Sequence, residues 1–103
     1  MNNSKTINLY PKPSATTAPE QLAVSSTAVG LTSTTWLPED TYFLIEVQSN
    51  SMYVSFDGTT PSVTNGFIYT SGTREVWSSK RAKAAKFIRV SADGKVQSQP
   101  MVD

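Results

Sequence analysis

The sequence predicts an all-β fold: one small antiparallel β-sandwich or barrel behind an extended N-terminal arm. Three observations lead there. Short runs rich in aromatic and β-branched residues recur along the chain, the types that suit a pleated, half-buried surface. Turn signals separate them every several residues, at Pro38-Glu39-Asp40, Asp57-Gly58, Asn65-Gly66, Ser71-Gly72 and Asp93-Gly94. The remaining surface is Ser- and Thr-rich rather than charged, with 17% charged and 38% hydrophobic residues in 103. That length is one domain's worth. Such a lean core suits either a modest free-standing β-domain or one that gains stability from neighbours.

Residues 1–20 read as an arm and 21–103 as the β-domain. Lys5 to Tyr10 alternates apolar and polar for one short strand, and Pro11, Pro13 and Pro19 then hold a Ser/Thr/Ala-rich tether extended. Ile7, Leu9 and Tyr10 form an apolar patch that gains little from water. They are therefore candidate contacts, by strand addition to a neighbouring chain or along the chain's own domain. Gln21 to Thr32 reads as a strand with a weak or bulged centre and a kink at Gly30. Trp36 is expected to plug one end of the core. Tyr42 to Val47 is the most apolar run and the expected central strand. Gln48 to Ser51 reads as a hairpin loop, with Met52 to Phe56 returning beside it.

Met52 to Gly66 continues as strand, polar loop and turn, and Phe67-Ile68-Tyr69 resumes the strand. Arg74 to Trp77 is a short strand. Lys80 to Lys86, KRAKAAK, is the one helix-competent segment, long enough for about one turn. Phe87 to Val90 is a strand, Asp93-Gly94 a hairpin turn, and Lys95 to Met101 the closing strand. Pro100 marks that last strand as an edge.

The composition also bounds the chemistry. The chain has no Cys and no His, so a disulfide framework, a thiolate metal site and the commonest general base are all missing. Ser catalysis would need Lys as its base, and no Ser-x-x-Lys signature is present. The acids lie mostly in turns and termini. The expectation is a protein that is not an enzyme and takes no cofactor or metal. Asp57-Gly58-Thr59-Thr60 gathers oxygens, but with one local carboxylate it reads as a turn in which Asp57 caps its own backbone. A net charge of +1 exerts no general pull toward nucleic acid or membrane. No apolar run approaches the roughly 20 residues of a membrane span. The N-terminal stretch lacks the apolar core of a signal peptide, so synthesis in the cytosol of the producing cell is expected.

Charge is nonetheless uneven. Between Arg74 and Lys95 seven basic residues meet only Glu75 and Asp93. The plainest reading is a solvated edge whose lysines block edge-to-edge aggregation. The second is a docking patch for an acidic partner, with Lys80, Arg81 and Lys83 as its candidates. Nucleic-acid binding comes third, because aromatics are not interleaved with the cations.

VSFDGTTPSVTNGFIYTSG, a short strand holding Trp77, and then AAKFIRVSADGKVQSQ together resemble a group of small virion structural proteins of tailed bacteriophages. Asp57, Gly58, Thr59, Thr60, Pro61, Gly66, Gly72, Ile88 and Arg89 carry the resemblance, which spans roughly 21–99. It implies an all-β virion component without activity of its own, present in multiple copies or as a homo-oligomer. Its partners would be the major capsid protein or other virion proteins, with no nucleic acid and no membrane. A capsid decoration or cement protein, binding the assembled shell and stabilising it, suits the size and the arm. A tail, adaptor or fibre-base component is the alternative. The DGTTP phrase also occurs in small β-domains of carbohydrate-active enzymes. A glycan-binding module is therefore the other alternative, with Tyr53, Tyr69, Trp36 and Trp77 as candidate rings.

Overall fold

The computed structural model describes residues 12–13, 19–32 and 41–102. Within them the chain is all-β with one short helix, arranged as two antiparallel sheets. The strands are β1 (Lys12–Pro13), β2 (Glu20–Val24), β3 (Tyr42–Ser49), β4 (Met52–Ser55), β5 (Phe67–Tyr69), β6 (Arg74–Ser78), β7 (Lys86–Arg89) and β8 (Gly94–Val102). Helix α1 (Ser79–Ala84) joins β6 to β7. In the larger sheet β8 and β3 lie side by side, β6 flanks β3, and β1 and β2 share the other side of β8. The smaller sheet runs β5-β4-β7.

The strands form where alternation can bury one face. In β3, Phe43, Ile45 and Val47 point into the core while Tyr42, Leu44 and Glu46 lie at its outer face. Val96, Ser98 and Pro100 of β8 face the same way. Met52 and Val54 of β4 and Phe87 of β7 answer from the smaller sheet. Each large side chain removed from water contributes about 1.5–3 kcal/mol. These residues are contiguous with Trp77, Val24, Leu31, Ala82 and Ala85, so both sheets and α1 share one core.

Two connections differ from the sequence reading. β3 and β4 do not form a hairpin. β3 is already flanked by β8 and β6, so both of its ladders are occupied, and β4 crosses to the other sheet. Asn50, at φ 60°, makes the crossing and donates from Nδ2 to the Asp93 carbonyl at 2.6 Å. β7 and β8 likewise lie in different sheets, so Asp93-Gly94 turns the chain between layers rather than within one. The two crossings pack closely: a Cβ on Gly94 would collide with the Ser49 carbonyl.

β8 is also not an edge; it is the central strand of its sheet. Pro100 fits there for a local reason. β2 pairs with β8 only as far as Ser98, and β1 begins at Met101. Among the described residues Gln99 and Pro100 pair with β3 alone, so neither the β1 nor the β2 ladder calls for an N–H from Pro100.

Gln21 to Thr32 does break at its weak centre. β2 ends at Val24, and the chain then changes sheets. The Arg89 N–H donates to the Ser25 carbonyl at 2.9 Å, and Val29 and Phe87 exchange backbone hydrogen bonds at 3.0 and 2.8 Å. One side of the molecule is thus laced shut by a single stretch that serves both sheets. Of the proposed arm, 1–20, the described β1 pairs antiparallel with β8 of its own domain, and Glu20 already belongs to β2. Ile7, Leu9, Tyr10 and Trp36 lie outside the described residues.

The short helix forms as its composition suggests. Ser78 caps it, its Oγ accepting from the Arg81 N–H at 3.2 Å. Ser79 and Ala82 turn inward, and the chain becomes extended again at Ala85.

Candidate functional site

Opposite the laced side, β5 and β6 are the outermost strands of their sheets. The turn from Thr70 to Thr73 joins them, closed by a Thr73 N–H to Thr70 carbonyl bond at 3.2 Å. Between them lies an aromatic group built from four elements. Trp77 of β6 is 1% exposed and stacks on Phe87 of β7, centroids 6.0 Å apart and planes 13° from parallel. Phe56, just after β4, meets Trp77 edge-on at 5.1 Å, and Tyr69 of β5 does so at 6.0 Å. Phe67 completes the row, 6.2 Å from Phe56.

A carboxylate ties the two strands together. Glu75 and Trp77 are two residues apart on β6 and therefore share its inner face. The Tyr69 hydroxyl donates to Glu75 Oε1 at 3.0 Å, and Trp77 Nε1 donates to the same oxygen at 2.7 Å. One acceptor thus satisfies an indole N–H in the core and a phenol from the opposite sheet. Burial, with the Glu75 hydrogen bond and charge added to it, pushes the Tyr69 phenol up to about 12.

Outside this row runs a groove of about 430 Å³, walled by Phe56, Phe67, Tyr69, Thr73, Glu75 and Arg81. The Arg81 guanidinium lies 4.9 Å from the Phe56 ring centroid. The ion pairs among the described residues are Arg74 with Glu46 at 2.7 Å and Arg89 with Asp93 at 2.6 Å. The Arg74 hydrogen bond holds the Glu46 carboxyl below its usual range. Arg81 faces the groove, which Glu75 also lines, and forms no ion pair among the described residues. Lys80 and Lys83 are exposed on the same helix and, with Ser79 and Ala84, border a separate hollow. Of the six contact residues read from the sequence, Lys80, Arg81 and Lys83 are thus together on α1. Ile7, Leu9 and Tyr10 lie outside the described residues.

The Asp57 loop is a turn. Asp57 Oδ1 accepts from the Thr59 N–H at 3.1 Å and the Thr59 hydroxyl at 2.5 Å. The same bonds, the hydroxyl's first, hold the Asp57 carboxyl below its usual range. Asn65 Nδ2 closes the loop onto Thr59 Oγ1 and the Thr60 carbonyl at 2.8 and 2.9 Å. Among the described residues no three His, Cys, Asp or Glu side chains gather as a metal site. No helix there is long and apolar enough to cross a membrane.

The candidate glycan-facing rings do not form one surface. Trp77 is core. Tyr53 pairs with Ile68, so Tyr53 and Tyr69 occupy opposite faces of the smaller sheet. Phe56, Phe67 and Glu75 are the site residues that sequence reading missed. The signal that could have found Glu75 is its inward position two residues before Trp77.

Fold and site together define a small all-β protein of two antiparallel sheets with an aromatic groove that also holds one guanidinium and one carboxylate. Comparison with protein-family models, curated proteins and solved structures returned no match.

Proposed function

We propose that this chain is a non-enzymatic virion structural protein of a tailed bacteriophage, of the capsid decoration or cement type. In this reading it is a β-sandwich with an N-terminal arm, present in many copies on the particle. It binds the major capsid protein of the assembled shell and needs no cofactor, nucleic acid or membrane. The virion assignment rests on the resemblance carried by Asp57 to Pro61, Gly66, Gly72, Ile88 and Arg89.

The observation that carries the binding role is the side of the molecule at β5. Phe67 and Ile68 of β5 are 63% and 60% exposed, one on each face of the sheet, beside the groove that Arg81 and Glu75 line. Large apolar side chains left in water on an outermost strand are typical of a surface that a partner covers.

Quantitative mass spectrometry of purified particles tests the assignment. Decoration requires a copy number comparable to that of the coat subunits, and co-sedimentation with assembled shells but not with free subunits. A few copies per particle would overturn decoration in favour of the tail, adaptor or fibre base. Absence from the particle would overturn the virion reading altogether.

A further inference from the structure

The turn that leads into β5 contains a peptide bond whose chemistry the fold has to hold in check. Asn65 is the one asparagine of five that precedes a glycine. Asparagine is thermolabile, and a following glycine, with no side chain, leaves its amide open to attack by the next backbone nitrogen. Gly66 cannot be exchanged for a bulkier, slower neighbour. Its φ is 115°, and a Cβ there would collide with the Val54 carbonyl. The close approach of the chain to β4 thus demands the very residue that makes Asn65 reactive.

The loop holds Asn65 by side chain and backbone alike. Nδ2 donates to Thr59 Oγ1 at 2.8 Å and to the Thr60 carbonyl at 2.9 Å. The Asn65 main chain exchanges hydrogen bonds with Ser62 at 2.9 and 3.2 Å. Thr59 is anchored in turn: its hydroxyl donates to Asp57 Oδ1 at 2.5 Å, and its carbonyl accepts from the Ser55 hydroxyl at 2.5 Å. Pro61, between these contacts, is buried.

We propose that Asn65-Gly66 is a modification site, a deamidation switch that the 57–65 loop keeps closed and whose conversion releases β5 from β4. In the reaction the Gly66 nitrogen gives up its proton and bonds to Asn65 Cγ. The Cγ–Nδ2 bond breaks, and the amide leaves as ammonia. Water then opens the five-membered imide at either carbonyl carbon, giving aspartate or isoaspartate. One water enters and one ammonia leaves, with no oxidant or other reactant. The Asn65 side chain must first turn off Thr59 and Thr60, so conversion waits on local opening of the loop.

Both products replace the Nδ2 donor by a carboxylate. Its two hydrogen bonds are lost, and a negative charge faces the Thr60 carbonyl. Only the Thr59 hydroxyl separates that charge from the Asp57 carboxylate. Isoaspartate also adds a methylene to the main chain where Gly66 already lies against Val54. β5 has three residues and pairs with β4 alone among the described strands, its first pair being Phe67 with Val54. A shift at that pair leaves little ladder to hold the strand. Phe67 and Ile68 move with it, so the modification alters the docking surface, but its chemistry does not depend on the virion reading.

The full chain is aged in mildly alkaline buffer, folded and in guanidinium chloride, and isoaspartate at each asparagine is measured by peptide mapping with mass spectrometry. In the unfolded chain Asn65 should convert fastest of the five. Folding should slow it by about tenfold or more. Thr59→Val removes one acceptor and, with its fold verified by ¹H–¹⁵N spectra, should convert about fivefold faster than folded wild type. In the isolated isoaspartyl form, amide shifts should concentrate at residues 52–54 and 66–70.

Equal rates for Asn65 in the folded and unfolded chain overturn the closed-loop assignment, as does a folded Thr59→Val that converts no faster than wild type. The first comparison uses the wild type alone, so a Thr59→Val protein that fails to fold does not suspend the test. An isoaspartyl form with wild-type amide positions at 52–54 and 67–69 overturns the release of β5.

Discussion

Glu75 is the side chain whose removal should reveal most about how the two sheets are held together. Its Oε1 is the acceptor of both Trp77 Nε1 at 2.7 Å and the Tyr69 hydroxyl at 3.0 Å. Glu75→Ala strands the indole N–H inside the core, since Trp77 is 1% exposed. The Tyr69 hydroxyl lies at the groove and turns to water. The cost is therefore dominated by one orphaned buried donor that had a charged acceptor, about 2–3 kcal/mol. For a domain of this size that corresponds to a fall of roughly 10 °C or more in Tm.

Glu75→Gln keeps an amide oxygen at the same reach and loses only the charge assistance, about 1 kcal/mol. Urea unfolding followed by far-UV circular dichroism measures both. Repeating Glu75→Ala in a Trp77→Phe background removes the orphaned donor, so the two changes should couple by about 1–2 kcal/mol. A Glu75→Ala protein within about 0.5 kcal/mol of wild type would refute the reasoning. So would a Gln variant as unstable as the Ala variant, because the acceptor geometry would then be irrelevant.

The Tyr69 phenol, raised to about 12 against an ordinary value of 10.0, prefers its protonated form in the folded state. The stability this contributes is complete below about pH 10 and is lost as pH rises toward 12. The difference in ultraviolet alkaline titration between wild type and Tyr69→Phe should show one phenol with a midpoint near 12, and a midpoint near 10 would contradict it. Gly94→Ala drives a methyl group against the Ser49 carbonyl at the point where both inter-sheet crossings meet. It is expected to cost about 1–3 kcal/mol in urea unfolding, and a neutral result would mean that the crossings separate easily. Ser98 is fully buried in the central strand, and its hydroxyl has no hydrogen-bond partner among the described residues. Ser98→Ala should leave thermal stability unchanged or raise it, since an unpaired buried hydroxyl costs about 1–3 kcal/mol; a drop in Tm would show that the hydroxyl is satisfied.

Much of the secondary structure was legible because its causes are local. Its run of apolar residues marked Tyr42 to Val47 as a central strand, which β3 is. The loop from Asp57 to Asn65 and its return at Phe67 followed from turn chemistry. KRAKAAK announced a single helical turn, which formed one residue earlier because Ser78 was available as its cap. Arg81 stood out as a contact candidate from charge alone. Its place above Phe56 did not, because those residues are 25 apart in the chain and belong to different elements. Glu75 was read as one more acid in a basic stretch, since its two donors come from the partner sheet and from the core.

What the sequence determined by itself was the all-β class, the order of strands and where the chain reverses. Tertiary structure alone decided which strands pair. Asn50 and the Asp93-Gly94 turn look like hairpin loops, and both reverse the chain as their residue types require. A turn, however, governs only the backbone over a few residues. Whether the returning strand lies beside its predecessor or across the core from it depends on whether the predecessor's edges are already taken. Those of β3 are filled by β6 and β8, strands distant in sequence. The same long-range pairing made β8 central despite Pro100, and left β5 and β6 as the outer strands bordering the groove.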